Sequence, residues 1–458
     1  MELSRNERWK LVALGAAIAV GAAVIAVKVV ATDPAEQPPA TALVKSSLAT
    51  PPGRSITLDI HELSDNEGEV LLSMPTTLDA YYGYAGVLDA GERIIVATGL
   101  PLPTVDPAAS GAEISAVTLV GVDPKDGASQ WRTPVGRVSS CDQQFDGGVL
   151  ACWGDRRVVF VDADDGTLLS DIGTDFDLSG VTVDGDVVYA SGSVDGAPVL
   201  TRGTTLDPVR DDRRVFETAP DSWVYPVPDR GVAVGSVRGD GTPQYVYSVY
   251  DLDSGAKEFT FEGDSLLPVG DDLYLSSIGS ESGTVGTQNL LAADGSILGP
   301  VPIPSYGAGR YPSSPSVSEP LFLGDGAYDP DTGDELWRNP AMVIGQFSGK
   351  NSAVAAVVGK TVIVTDPEAK TISGLDIESG RQRWQIPWED AYWVRDGLTD
   401  GEYFVFGDYK GTHAISARDG TIAWSMPQLE GVDPPMVSVS SAGGTMMVSS
   451  GSVFTFWS

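Results

Sequence analysis

Histidine is nearly missing from this chain: His61 and His413 are the only two in 458 residues. Transition-metal centres draw on clustered His, Cys or carboxylates, so two histidines this far apart exclude a histidine-rich site. No Cys-x-x-Cys-His occurs, which excludes covalent haem attachment. Neither a Gly-x-Ser-x-Gly turn nor a glycine-rich phosphate loop is present. A serine nucleophile built around either histidine would lack its usual turn, and both read as ordinary strand residues. Cations are scarce too. Against 63 Asp and Glu stand 29 Lys and Arg, a formal net charge of −34. Such a surface repels phosphate backbones, so nucleic acid is excluded as a partner. The carboxylate excess reads as solubility in a salty exterior, with cation binding as the alternative. Beyond the N-terminal region no stretch keeps a 3.6-residue apolar period, so helices should be few.

The N-terminal region carries a targeting signal. Arg5, Arg8 and Lys10 precede Leu11–Val30, which is apolar except for Lys28. About 20 such residues cross a bilayer core as a helix, and Lys28 can snorkel to the interface. Positive charge on the short leading side predicts cytoplasmic residues 1–10 and an exported bulk, held at the cell membrane by one pass. The alternative is a signal peptide cut at Ala31, which would leave the protein exported and soluble. No cysteine lies near the segment, so a bacterial lipid anchor is excluded. Residues 31–54, rich in Pro, Ala, Ser and Thr, read as an extended extracytoplasmic linker.

Cys141 and Cys152 are the only cysteines, and they lie at equal distances from Asp146–Gly147. A hairpin closing there sets them directly opposite each other, within disulfide range. A two-residue loop would put them in a hydrogen-bonded pair, the less comfortable site for a bridge, so a longer loop is the better fit. A structural disulfide in an oxidising compartment is expected, since redox-active pairs favour Cys-x-x-Cys.

Against these absences stands a repeat. Asp-x-x-x-Gly-x-x-x-Trp occurs at Asp123-Gly127-Trp131, Asp329-Gly333-Trp337 and Asp376-Gly380-Trp384. Weaker copies are Asp162-Gly166, Asp251-Gly255-Phe259, Asp294-Gly295 and Gly420-Trp424. Successive glycines lie 39, 89, 40, 38, 47 and 40 residues apart, and a degraded copy around Val199–Phe216 fits the long gap. Glycine after Asp, Ser or Thr suits a turn with positive φ. Repeats of roughly 40–45 residues made of short strands indicate a β-propeller. A second series of turns, such as Asp184-Gly185-Asp186 and Asp400-Gly401, precedes short apolar strands and completes a four-stranded unit. The expected fold is all-β: one propeller of four-stranded blades over residues 55–458, behind an N-terminal transmembrane helix. Eight blades are expected, with seven or nine as alternatives, because Ile303–Trp337 looks a strand short. Ser55–Ile60 or Glu69–Met74 should join the C-terminal strands to close the ring. The tryptophans fall on the outer hairpin, where they can pack between blades. Gly127, Trp131, Gly255, Phe259, Gly333, Trp337, Gly380, Trp384, Gly420 and Trp424 are the expected docking residues.

The turns in Leu119–Trp131, Tyr328–Trp337, Leu375–Trp384 and Ala414–Trp424 resemble the tryptophan-docking repeats of PQQ-like (quinoprotein alcohol dehydrogenase-like) β-propellers. The resemblance covers about residues 80–458. It implies the fold, and it includes both quinone-dependent dehydrogenases and non-enzymatic envelope proteins. The dehydrogenases place a disulfide of adjacent cysteines against the cofactor and a Glu/Asn/Asp set around calcium. Here the cysteines are eleven positions apart, so no catalytic residue carries over, and neither PQQ nor calcium is expected. Asp162/Asp164/Asp165 and Asp329/Asp331/Asp334 imitate calcium-loop spacing but coincide with the repeat turn, where Asp bonds its own backbone.

What remains is binding. The aromatic turns supply Tyr82, Tyr84, Trp223, Tyr225, Tyr306, Tyr311, Trp388 and Trp393 as candidate face residues, with packing at blade ends as the plainer role. The expected function is a tethered scaffold for an envelope protein or surface polymer, without catalysis. The alternative is a divergent quinoprotein-type enzyme, or another enzyme with its site on the propeller axis. If the C-terminal strands close the ring, deleting Gly451–Ser458 should abolish cooperative thermal unfolding; a truncated protein that melts like the full one would refute the closure.

Overall fold

The computed structural model describes residues 47–457 apart from 60–62, 64–69, 73–87, 92, 102–113, 143–147, 155, 217–221, 239–244, 270–271, 280–285, 303–318, 341, 343–352, 395–396, 428–436, 443–444 and 451–452. No helix among the described residues is long and apolar enough to cross a membrane, and Leu11–Val30 lies outside them.

Glycine-punctuated runs of Val, Ile and Phe pair into antiparallel sheets, and nine such sheets follow one another among the described residues. They are blades 1 (70–136), 2 (140–173), 3 (177–215), 4 (223–263), 5 (265–301), 6 (321–338), 7 (353–387), 8 (397–427) and 9 (438–457 with 54–59). The expectation of eight is therefore corrected to nine. Residues 321–338 form a sheet of their own, with three strands among the described residues. The degraded repeat is the hairpin between Ala197–Thr204 and Asp207–Val215 of blade 3. In blade 1 two separate segments, Val70–Leu72 and Leu88–Asp89, pair with Ile94–Pro101 and share its inner edge.

Blade 9 closes the ring. Arg54–Asp59 pairs with Val453–Trp457, so the first of the two expected closing segments is the outer strand. Glu69–Met74 contributes Val70–Leu72 to blade 1 instead. The last stretch assigned to the linker also belongs to the ring. Leu48 is 1% exposed. Its N–H donates to Asp400 Oδ2 at 2.7 Å, and its carbonyl accepts from Trp424 Nε1 at 2.7 Å.

Blades pack face to face, which explains the strand patterns. Thr361–Asp366, second in blade 7, is buried along nearly its whole length because neighbours cover both of its faces. Gln382–Pro387, the outermost strand of that blade, alternates because only one face meets a neighbour. Between blades 9 and 1, Phe454 and Phe456 fill the space beside Ile94, Val96 and Val120. Between blades 7 and 8, Ile363 and Ile372 meet Phe404 and Phe406.

The repeat residues form joints between consecutive blades. In each Asp-x-x-x-Gly turn the glycine N–H returns to the first carbonyl, as Gly380 does to Asp376 at 2.8 Å, with φ +65. The flat glycine surface then receives the aromatic ring of the preceding blade. Trp337 lies on Gly380 and donates Nε1 to Ile377 O at 2.7 Å. Trp384 lies on Gly420 and donates to Ala417 O at 2.8 Å. Trp131 lies on Gly166, and Phe259 lies on Gly295. Of the predicted docking residues, Trp337 with Gly380 and Trp384 with Gly420 meet across blades, Trp131 and Phe259 reach Gly166 and Gly295, and Trp424 reaches Leu48, so each ring seats on the next blade's position rather than its own turn. Other joints use different chemistry. Arg214 covers Gly255 and donates to Asp251 O at 3.2 Å and Asp253 O at 3.0 Å. Leu298 meets Gly333, and Ile56 meets Gly127. Ser170 donates Oγ to Thr205 O.

A Cβ on Gly380 would intrude on the Trp337 ring, whereas one on Gly196, also at positive φ, meets nothing within 4 Å. Gly196→Ala should cost about 1–2 kcal/mol of backbone strain, and Gly380→Ala about that much again for displacing the ring. Urea unfolding checks the difference; equal losses would mean the joint adds no stability.

Candidate functional site

After its last strand, blade 7 continues as Trp388-Glu389-Asp390 into a short 3-10 turn, Ala391–Trp393. The Trp388 N–H donates to Lys370 O at 2.7 Å, which fixes the start of this loop. Its indole Nε1 donates to Asp408 Oδ2 at 3.1 Å in blade 8. Asp408 opens the hairpin Asp408–Gly411, and its Oδ1 accepts from Lys410 N at 2.6 Å and Gly411 N at 3.1 Å. This is the backbone-capturing use of Asp in a turn. His413 sits two residues beyond, opposite Ser425 on the outermost strand. His413 Nε2 is 3.1 Å from Asp408 Oδ1, and Nδ1 is 2.9 Å from Ser425 Oγ. A carboxylate only accepts, so Nε2 carries the proton, and in the neutral ring Nδ1 accepts from Ser425. The Trp388 ring meets His413 edge-on at 4.9 Å and Phe406 at 5.2 Å.

The Asp408 side chain is fully buried. Burial alone would raise its pKa, but hydrogen bonds from His413, the Lys410 N–H and Trp388 hold it below the ordinary aspartate value. At the surface, Lys410 bonds Asp390 at 2.8 Å and Glu389 at 3.5 Å, and these carboxylates raise its pKa. Ser425, His413 and Asp408 follow the contact order of a proton relay. Ser425, however, lies mid-strand in Ile422–Pro427 rather than on a sharp turn, so its hydroxyl is not presented as a nucleophile. The arrangement fastens an interblade loop to a hairpin. Tyr392 on that 3-10 turn and Tyr409 in that hairpin are each 37% exposed.

The other aromatic candidates divide. Trp223 stacks on Tyr225 at 5.1 Å and meets Tyr247 at 6.0 Å. Tyr225 is 5% exposed, and burial pushes its hydroxyl pKa up strongly. This pair belongs to the packing of blades 4 and 5, not to a face. Trp393 ends the 3-10 turn. Tyr82, Tyr84, Tyr306, Tyr311 and His61 lie outside the described residues. Cys141 and Cys152 are bonded and face each other across the hairpin. Because Asp142 N donates to Ala151 O at 2.7 Å, the cysteines take the non-hydrogen-bonded position, as a loop longer than two residues requires. In the Asp runs, Asp162 accepts from the N–H of Asp164, and Asp329 from those of Asp331 and Thr332.

No sequence motif marks out Asp408, Tyr409 or Ser425. The signal was the Asp-x-x-Gly turn before His413, which becomes telling only once His413 and Ser425 are known to pair. Asp408→Asn should lower stability at pH 7 by about 1–3 kcal/mol, the cost of a poorly satisfied buried group. With a depressed folded pKa, the carboxylate stabilises above the unfolded value of about 3.9 and loses this as pH falls through the folded value. The gap between wild type and variant should therefore narrow below about pH 4. Urea unfolding at both pH values checks this, and a gap that widens in acid would refute it.

Residues 326–456 match a family model described as outer membrane protein assembly factor BamB. Similar solved structures include BamB from Moraxella catarrhalis, at 14% identity and TM-score 0.32, with 81% of each chain covered. The computationally designed Ika8 protein matches at 11% identity and TM-score 0.40, over 89% of this chain and 100% of that one. The Pan2 WD40 domain of Neurospora crassa matches at 10% identity and TM-score 0.35, over 85% and 93%. No curated protein sequence matches.

Proposed function

We propose that this chain is a PQQ-like β-propeller repeat protein whose ring is a tethered scaffold in the cell envelope that binds another envelope protein through the blade 7–8 aromatic loops. The observation that carries this reading is that Tyr392 and Tyr409 are exposed on the loop and the hairpin that Trp388 and Asp408 fasten together. Exposed tyrosines on fastened loops are the kind of side chain that anchors interfaces. The matched family's description as an assembly factor supports a binding role. The Leu11–Val30 segment supplies the anchor, with residues 1–10 cytoplasmic and the propeller outside. The reading assigns no catalysis, no PQQ and no calcium. In its support, the Asp162 and Asp329 carboxylates are committed to backbone N–H groups, and the cysteines are not adjacent.

The test is crosslinking of the full-length protein in its membrane, with partners identified by mass spectrometry. One recurrent partner is expected, with crosslinks mapping to 388–410. The double variant Tyr392→Ala, Tyr409→Ala should cut its recovery roughly tenfold, the loss typical of two anchor side chains, while melting as the parent does. No recurrent partner, or undiminished recovery by the variant, would overturn the proposal.

A further inference from the structure

The two sides of the ring differ in which chain features they carry. Strands alternate in direction within a blade, so the first and third turns of each blade share one side and the second turn lies on the other. Hydrogen bonds between first and third turns confirm this: Leu252 N donates to Gly231 O at 2.7 Å, and Ala417 N to Glu402 O at 3.0 Å. The docking turns are third turns and therefore share one side. Asp408–Gly411, a second turn, lies on the other, as does the loop bearing Trp388, which follows an outermost strand.

The polypeptide enters the ring on the docking-turn side. Arg54 pairs with Trp457 at that end of blade 9, and the strand runs away from it to Asp59 opposite Val453. Leu48 stands where a docking turn would be. Its carbonyl receives Trp424 Nε1, as Ile377 and Ala417 receive the indoles of blades 6 and 7. Blade 9 has no covalent third turn, because its third and fourth strands come from opposite ends of the chain. The segment from Leu48 to Arg54 replaces it and pins the entry point.

Only residues 31–47 separate this entry point from Leu11–Val30. Seventeen residues reach at most about 55–60 Å when extended, and about 20–25 Å as a coil. We propose that the docking-turn side at blades 8, 9 and 1 faces the lipid surface, and that the blade 7–8 aromatic loops on the opposite side point away from it. This rests on the anchored reading above and adds an orientation to it. The tether sets the greatest separation between that side and the bilayer.

The native cysteines are bonded to each other, so one introduced cysteine gives one reactive thiol. Lys125→Cys labels the docking turn of blade 1, and Glu368→Cys labels a second turn of blade 7; both positions are exposed. Each full-length variant, carrying a donor dye, is reconstituted into phosphatidylcholine–phosphatidylglycerol vesicles containing an acceptor-labelled lipid. The expected result is co-flotation with the vesicles and at least about twofold greater energy transfer from position 125, since the two sides are separated by about 20 Å of strand. Co-flotation with equal or reversed transfer would overturn the orientation and leave the anchor standing. Failure to float with the vesicles would overturn the anchor and the orientation together.

Discussion

The contact on which the ring depends is an aromatic face laid on a glycine turn one blade away. A flat ring needs a flat seat, and a left-handed glycine without Cβ provides one where any other residue would obstruct it. Trp384 shows how confined the ring is: Gly420 of the next blade lies on one side and Gly374 of its own blade on the other. The indole N–H then finds a carbonyl of the receiving turn, so the apolar contact also has a direction. Trp131 has the same two glycine walls, at Gly121 and Gly166, yet its Nε1 is buried without a partner among the described residues. Shape complementarity is thus common to both joints, and the hydrogen bond is not.

That tolerance explains what the sequence could and could not reveal. Asp-Gly-Trp spacing made the fold legible because its three most regular copies state both halves of the joint. The cysteine hairpin was legible through symmetry about Asp146–Gly147, and the closing strand through the unpaired C-terminal strands. The joints formed by Arg214, Ser170, Leu298 and Ile56 share no residue type, only a position opposite the next turn, so pattern could not find them. Blade 6 was discounted for a related reason. Leu321–Leu323 and Gly326–Tyr328 are three residues each, too short to show alternation, and only pairing identifies them as strands.

The aromatic site was half legible. Trp388 could be named from composition, whereas its meaning depended on Asp408, His413 and Ser425 arriving together through strand register. Trp223 and Tyr225 show the reverse. Two residues apart on one strand, they share a face, and in blade 4 that face is packed against Tyr247 rather than open. Composition finds aromatic residues, but the direction of a strand decides whether they recognise or fill.

The split ninth blade also imposes an order in time. Thr57 and Thr455 touch across 398 residues of chain, so the first strand to be synthesised has no partner until the last has appeared. Loop closure of that length is slow compared with forming the local hairpins of the other blades. Until that strand arrives the chain holds a row of preassembled blades with two open edges. The edge strands are then the part of the molecule most in need of protection by chaperones. Completion of the circle becomes a late checkpoint, passed only by chains that have been made to their final strand.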